Sequence, residues 1–254
     1  MSSVDLYTET YKHYDKDDQQ AVAFPTTVAL GQVAKYRINK NNDAILDTAA
    51  GTGKFIADLK RLFPDAEYTA GDLSDKMIEI CQKRNPGVKT LVEDCTKLGQ
   101  HFSAESFDLL LNHLTLTYLE DHEAFFKMTH SLLRDEGAFS IVSGIRAAYS
   151  NCKQLIAEFP NPTLREQLVS VTANDLHVPE TVESCCDLLE KTGFKVLEHH
   201  LVERELIFNE FDDFVRYFQE QGWGLQYMDV IGKQMEQVKA SFPADLFPLQ
   251  PLYD

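Results

Sequence analysis

The chain has 254 residues, 44% hydrophobic and 11% aromatic, and a net charge of −16. That composition supports a folded core rather than a disordered chain. Excess acid argues against nucleic-acid and anionic-membrane partners, which select basic faces. No apolar run approaches the roughly 18 residues of a membrane-spanning helix, and the first residues lack the basic and apolar regions of a signal peptide. Cys81, Cys95, Cys152, Cys185 and Cys186 have no metal-ligand spacing, so no metal site is expected. An odd cysteine count without a leader predicts reduced thiols and a cytoplasmic protein.

In chain order, residues 1–24 are polar and rich in tyrosine. Tyr7, Tyr11 and Asp15 recur at helical spacing, and Tyr14 lies beside them. Phe24-Pro25-Thr26-Thr27 leads into a helix closed by the polar loop Asn39–Asn42. A first strand is predicted at 44–47, a helix from Lys54 to Phe63 ending before Pro64, and a second strand at 67–71. Ser74 is a fair N-cap for a helix running to about Arg84. Strands at 88–92 and 107–111, a helix at 121–133 and a strand at 138–143 follow. Residues 145–178 suggest two helices around a proline break. Pro179–Thr192 is a well-signalled helix, Phe194–Phe208 is strand-like, and Phe211–Gln221 and Tyr227–Ser241 are helical. Apolar runs alternating with amphipathic helices indicate an α/β fold with a doubly wound, mostly parallel sheet.

The stretch Ala44-Ile45-Leu46-Asp47-Thr48-Ala49-Ala50-Gly51-Thr52-Gly53-Lys54-Phe55 organises the chain. A strand ends in an acid, and a loop with two glycines turns into a helix. Glycines there let backbone approach a ligand closely, and open α/β sheets bind ligands at the carboxyl ends of their strands. The next strand also ends in an acid, Asp72, 21 residues after Gly51, where a carboxylate can hold ribose hydroxyls. A nicotinamide or flavin dinucleotide and S-adenosylmethionine both fit this pair of acids. The dinucleotide fingerprint needs a small third residue, and Ile56 or Lys54 stands there instead. Asp47 at the turn suits an ammonium-bearing ligand better than a diphosphate.

Leu46–Gly53 resembles motif I of the class I S-adenosylmethionine-dependent methyltransferases, with Ala49 in place of the first glycine as in the ubiquinone/menaquinone-biosynthesis type. Gly71–Met77 resembles the family's acidic second-strand motif, Val92-Glu93-Asp94-Cys95 its adenine-contacting motif, and Ser106–Asn112 its fourth strand. The resemblance implies a Rossmann-like fold and the cofactor S-adenosylmethionine. Asp47, Ala49, Gly51, Gly53, Asp72, Leu73, Asp94, Cys95 and Asn112 would hold it. In one methyltransferase domain, residues 1–42 would form a helical lid and 43–145 the cofactor-binding core. Residues 146–178 would be a substrate-covering insertion, and 179–254 the C-terminal helices and a closing strand. Tyr11 and Tyr14 are candidate substrate contacts. His113, directly after the fourth strand, is the candidate base at a near-unperturbed pKa. The expected partner is a small-molecule acceptor with an oxygen or nitrogen atom to methylate. The rivals are a cofactor-binding relative with a non-methylating activity and a non-catalytic ligand-binding or regulatory domain.

Overall fold

The structure is a computed structural model that describes residues 13–16, 21–37, 43–147, 157, 161–163, 165–167, 169 and 177–221. The chain packs as two compact units. One comprises Gln20–Ala147 and His177–Val202; the other comprises Met1–Gln19, Ala148–Leu176 and Glu203–Asp254.

The first unit is an α/β layer fold. Its helices are α1 (Ala23–Arg37), α2 (Lys54–Leu62), α3 (Asp75–Arg84), α4 (His122–Leu132) and α5 (Val182–Lys191). Its strands are β1 (Ala44–Asp47), β2 (Glu67–Asp72), β3 (Lys89–Val92), β4 (Phe107–His113) and β5 (Leu133–Val142). The strands form one sheet in the order β3-β2-β1-β4-β5, and every pairing is parallel. This is the doubly wound sheet that the sequence predicts. The chain winds outward from β1 to β3, then returns to place β4 on the other side of β1. The β1/β4 crevice is therefore the topological switch point, where such sheets bind ligands.

Side-chain alternation along β1 and β4 feeds two cores. Ile45, Leu109 and Leu111 pack with Val33 of α1, Ile56 and Leu59 of α2, and Ile78 and Cys81 of α3. Leu46 and Leu110 face the other way, onto Leu98 of a 3-10 turn (Cys95–Gln100) and Phe125, Phe126 and Leu132 of α4. Leu46, Leu110 and Leu111 are completely buried, and together such residues supply about 2 kcal/mol each of hydrophobic stabilisation. A buried ion pair closes the sheet's amino edge: Arg37 Nη2 lies 2.7 Å from Asp43 Oδ2, and Arg37 also donates to the Glu136 carbonyl.

Three details differ from the sequence expectation. Helix α1 begins at Ala23 and takes Pro25 into its first turn, because amides there have no intrahelical acceptor to lose. Strand β5 begins at Leu133 rather than 138. Phe107 pairs with Leu133 and Leu109 already with Ala138, so the expected Arg134–Gly137 turn survives as a bulge with Glu136 at φ 59°. Residues 194–208, expected to be strand-like, contain no strand. They are held by side chains instead. Phe194 packs on Phe139 and His130, and Glu198 accepts hydrogen bonds from Lys35 Nζ and Tyr36 Oη of α1.

In the second unit, α6 (Phe211–Gln221) matches the predicted helix. It buries Val215 and Tyr217 and packs the Phe208 ring against Phe214 and Tyr217. His13–Asp15 form a turn with Lys16 N donating to the His13 carbonyl. Tyr11 and the helix expected at 227–241 lie outside the described residues. Cys81, Cys95, Cys185 and Cys186 are free thiols. Among the described residues no helix is long and apolar enough to cross a membrane, and no cluster of His, Cys, Asp and Glu is arranged to hold a metal ion.

Candidate active site

The loop after β1 is fixed by backbone bonds. Thr48 N donates to the Leu111 carbonyl of β4, and Ala50 N to the Gly71 carbonyl of β2, at 2.9 and 2.8 Å. The loop thus spans the mouth of the switch point. Gly51 and Gly53 both have left-handed backbone, φ 52° and 71°. A Cβ on Gly51 would meet nothing within 4 Å, so its face of the loop is open. Ala49 has no positive φ, which explains why alanine replaces glycine there. Gly53 precedes α2, whose first amides receive no side-chain cap. They offer a binding site for a carboxylate.

Two carboxylates flank this loop. Asp47 is 3% exposed, and its described hydrogen bond is a long one from Ala49 N at 3.3 Å. Burial pushes its carboxyl up to about 7, and the nearby Asp72 charge adds to the shift. Asp72 ends β2. It accepts from Gly51 N through Oδ2 (2.8 Å) and from Ser74 N through Oδ1 (2.9 Å). Burial raises its carboxyl too, against the pull of these amides. Buried Asp47 and half-buried Asp72, with no cation paired to either among the described residues, make a site for a positively charged or hydroxyl-rich ligand.

Beyond Asp72 the surface turns apolar. Leu73 is 42% exposed and Val92, at the end of β3, 51% exposed. Asp94 follows, capping the 3-10 turn by accepting from Thr96 N and Oγ1 through Oδ1. Cys95 is buried, with its thiol pushed up to about 12, so it offers backbone rather than sulfur chemistry. Exposed aliphatics beside a carboxylate acceptor suit a flat ring carrying an amine.

The exit of β4 forms the other side. Asn112 is fully buried, with Nδ2 donating to Thr48 Oγ1 at 2.9 Å. His113 Nε2 lies 3.0 Å from Ser140 Oγ of β5, and its ring stands edge-on to Phe55 at 4.4 Å. Asn112 Oδ1 and His113 Nδ1 are buried without a hydrogen-bond partner among the described residues. Each such orphan costs about 1–3 kcal/mol. Leu114 follows at φ 63°, an uncommon conformation for a bulky residue. Unpaired polar atoms on consecutive residues mark a place built to receive a ligand.

His113 departs from the sequence expectation of a near-unperturbed imidazole. Burial lowers its pKa to about 3, so the ring is neutral at pH 7 and a weak proton acceptor. Other expected residues converge. Asp47, Ala49, Gly51, Gly53, Asp72 and Asn112 surround the switch point, with Leu73, Asp94 and Cys95 along the adjoining edge. Tyr14 belongs to the other unit and is partly exposed. The sequence reading missed the residues that hold the loop from behind. Arg84 Nη1 donates to Thr52 O and Oγ1, and the buried Asn85 donates through Nδ2 to Gly53 O at 2.9 Å. Nothing in the local pattern at the end of α3 signals those contacts.

Residues 46–141 match the family model of a methyltransferase domain. The chain is 26% identical over 181 residues to the demethylmenaquinone methyltransferase of Chlorobaculum tepidum, an alignment covering 68% of this chain and 74% of that enzyme. Residues 46–141 thus carry a methyltransferase domain, and the chain resembles the class I S-adenosylmethionine-dependent methyltransferases. It is also 32% identical over 77 residues to the malonyl-[acyl-carrier protein] O-methyltransferase of Bacillus cereus, across 30% of this chain and 28% of that enzyme. Among solved structures, a SAM-dependent methyltransferase of Thermotoga maritima superposes with a TM-score of 0.53 at 20% identity, over 77% of this chain and 82% of that one. That likeness shows the shared fold. The methyltransferase domain defined by the family model starts at β1 and ends in β5, and so contains both sides of the site described above.

Proposed function

We propose that this methyltransferase transfers the methyl group of S-adenosylmethionine to an oxygen or nitrogen atom of a small-molecule acceptor. The carrying observation is the switch point itself: among the described residues, a buried and a half-buried acid with no paired cation, an open glycine face and two orphaned polar atoms lie around one crevice. These features fit the cofactor. In this reading Asp47 faces the methionyl ammonium and Asn112 Oδ1 accepts from the same group. The uncapped amides of α2 take the methionyl carboxylate, and Asp72 holds the ribose hydroxyls. Leu73 flanks the adenine, whose amine donates to Asp94 while the Cys95 backbone contacts the ring. Ala49, Gly51 and Gly53 let the chain come close.

Bound S-adenosylmethionine supplies the electrophilic methyl carbon. The chain's own residues orient it, exclude water and neutralise its charges. In this reading His113 faces the acceptor as a neutral hydrogen-bonding ring. Acceptor selection is assigned to segments outside the sheet core, the 1–42 stretch with Tyr11 and Tyr14 and the 146–178 stretch. Support for that comes from their chain positions in the resembling family. The net charge of −16 argues against a polyanionic acceptor. The four free thiols among the described residues support a reducing, cytoplasmic setting.

The test is release of S-adenosylhomocysteine from S-adenosylmethionine in the presence of a panel of hydroxylated, carboxylated and amine acceptors. Acceptor-dependent release is the expected result. Cofactor binding with no release on any acceptor would favour the non-methylating relative, and no cofactor binding would reject the proposal.

A further inference from the structure

Ser140 and His113 form a closed pair. Ser140 Oγ has one described hydrogen-bond partner, His113 Nε2 at 3.0 Å, and His113 Nδ1 has none. Two proton arrangements are open to the pair. If Nε2–H donates to Oγ, the serine proton and the Nδ1 lone pair are both left without a protein partner. If the serine hydroxyl donates to Nε2, the imidazole proton sits on Nδ1 and one group alone is left over. The second arrangement satisfies more of the pair. Phe55 packs edge-on against the same ring at 4.4 Å. No charged group contributes to the His113 shift, which comes from burial.

Resting on the methyltransferase reading above, we propose that Ser140 is a positioning residue. It holds His113 as a neutral Nδ1–H donor, and that donor binds an oxygen of the methyl acceptor. His113 then has no free lone pair and removes no proton. In this proposal the acceptor oxygen arrives as an anion, as carboxylates and acidic phenols or enols do. Its lone pair forms the new C–O bond, the C–S bond breaks, its electron pair stays on sulfur, and the sulfonium charge disappears. No proton is left to place.

The proton position is read by long-range nitrogen–proton NMR correlation of the 15N-labelled chain, with the His113 signals assigned by their loss in His113→Gln. The expected spectrum shows a protonated Nδ1 and an unprotonated Nε2, unchanged between about pH 5.5 and 8. Ser140→Ala should shift or mix the tautomer, and Ser140→Thr should restore it. A wild-type ring protonated on Nε2, or one titrating near its ordinary value of about 6.5, overturns the proposal. The wild-type spectrum decides this even if the alanine variant does not fold. In turnover, Ser140→Ala should lower kcat/KM for oxygen acceptors about tenfold. Affinity for S-adenosylmethionine by calorimetry should be unchanged. An amine lacking oxygen that suffers the same loss overturns the donor role. Absence of any cofactor binding would defeat the methyltransferase reading while leaving the tautomer result standing.

Discussion

Buried Asp47 makes cofactor affinity depend on pH. Asp47 in the free chain sits at about 7, so near and below neutrality it is largely protonated. A methionyl ammonium beside it favours the carboxylate, so binding expels a proton. The dissociation constant then scales with one plus the ratio of protonated to ionised Asp47. Between about pH 7.5 and 5.5 that factor grows about 25-fold, equivalent to about 2 kcal/mol. Over that range an α-amino group stays mainly charged, since its ordinary value is about 7.7–8.0. Asp72, also raised by burial, acts in the same direction. The assay is calorimetric titration with S-adenosylhomocysteine in buffers of different ionisation enthalpy, which reports both affinity and protons released. Asp47→Asn should reduce both the slope and the proton release. The sign for stability follows from the same shift. The folded value lies above the unfolded 3.8, so Asp47's contribution is present below 3.8 and lost as pH rises to about 7, to a total of about 4 kcal/mol. The free chain should therefore lose thermal stability between pH 5 and 7.5 relative to Asp47→Asn, and ligand should restore it. Affinity flat across this range, or a full slope retained in Asp47→Asn, would refute the reasoning.

Asp72→Ala should weaken S-adenosylmethionine binding by about 1.5–3 kcal/mol, the cost of lost charge-assisted hydrogen bonds; unchanged calorimetric affinity would move the ribose elsewhere. Gly53→Ala forces a Cβ to 2.5 Å from both Asn85 Nδ2 and Cys81 Sγ at φ 71°, so it should cost at least about 2 kcal/mol and show a lowered Tm. Gly51→Ala, with open space around its Cβ, should lower Tm less and weaken cofactor binding more. Arg37→Ala strands buried Asp43 and should destabilise by about 3–5 kcal/mol, with the Asp43→Ala double variant recovering part of it in denaturant melts.

Much of this architecture is legible in the chain. Strand β1 ends where Asp47 meets the small-residue loop, and α3 starts where Ser74 supplies an N-cap that accepts from Met77 N. Both signals are local, and both elements fall where expected. The acids of the site are legible for the same reason, because each stands at the end of an apolar run. What the sequence does not carry is set by distant partners. His113 is defined by Ser140, 27 residues on, and by Phe55, whose ring it meets edge-on. These neighbours fix the ring, and burial holds its pKa below the ordinary imidazole value. Asn85 holds Gly53 from 32 residues away. Residues 194–208 alternate like a strand, but Glu198 is bound to Lys35 and Tyr36 through its side chain. Leu197 and Leu201 are left exposed, and the alternation reflects local packing rather than a ladder.

The most direct measurement is calorimetric titration of the purified chain with S-adenosylmethionine, S-adenosylhomocysteine and NAD(H), alongside Asp72→Ala. Saturable binding of both sulfur ligands, weakened in the variant, and none of NAD(H) is the predicted result. Binding of NAD(H), or no binding of either sulfur ligand, would contradict the assignment of this crevice to the methyl donor.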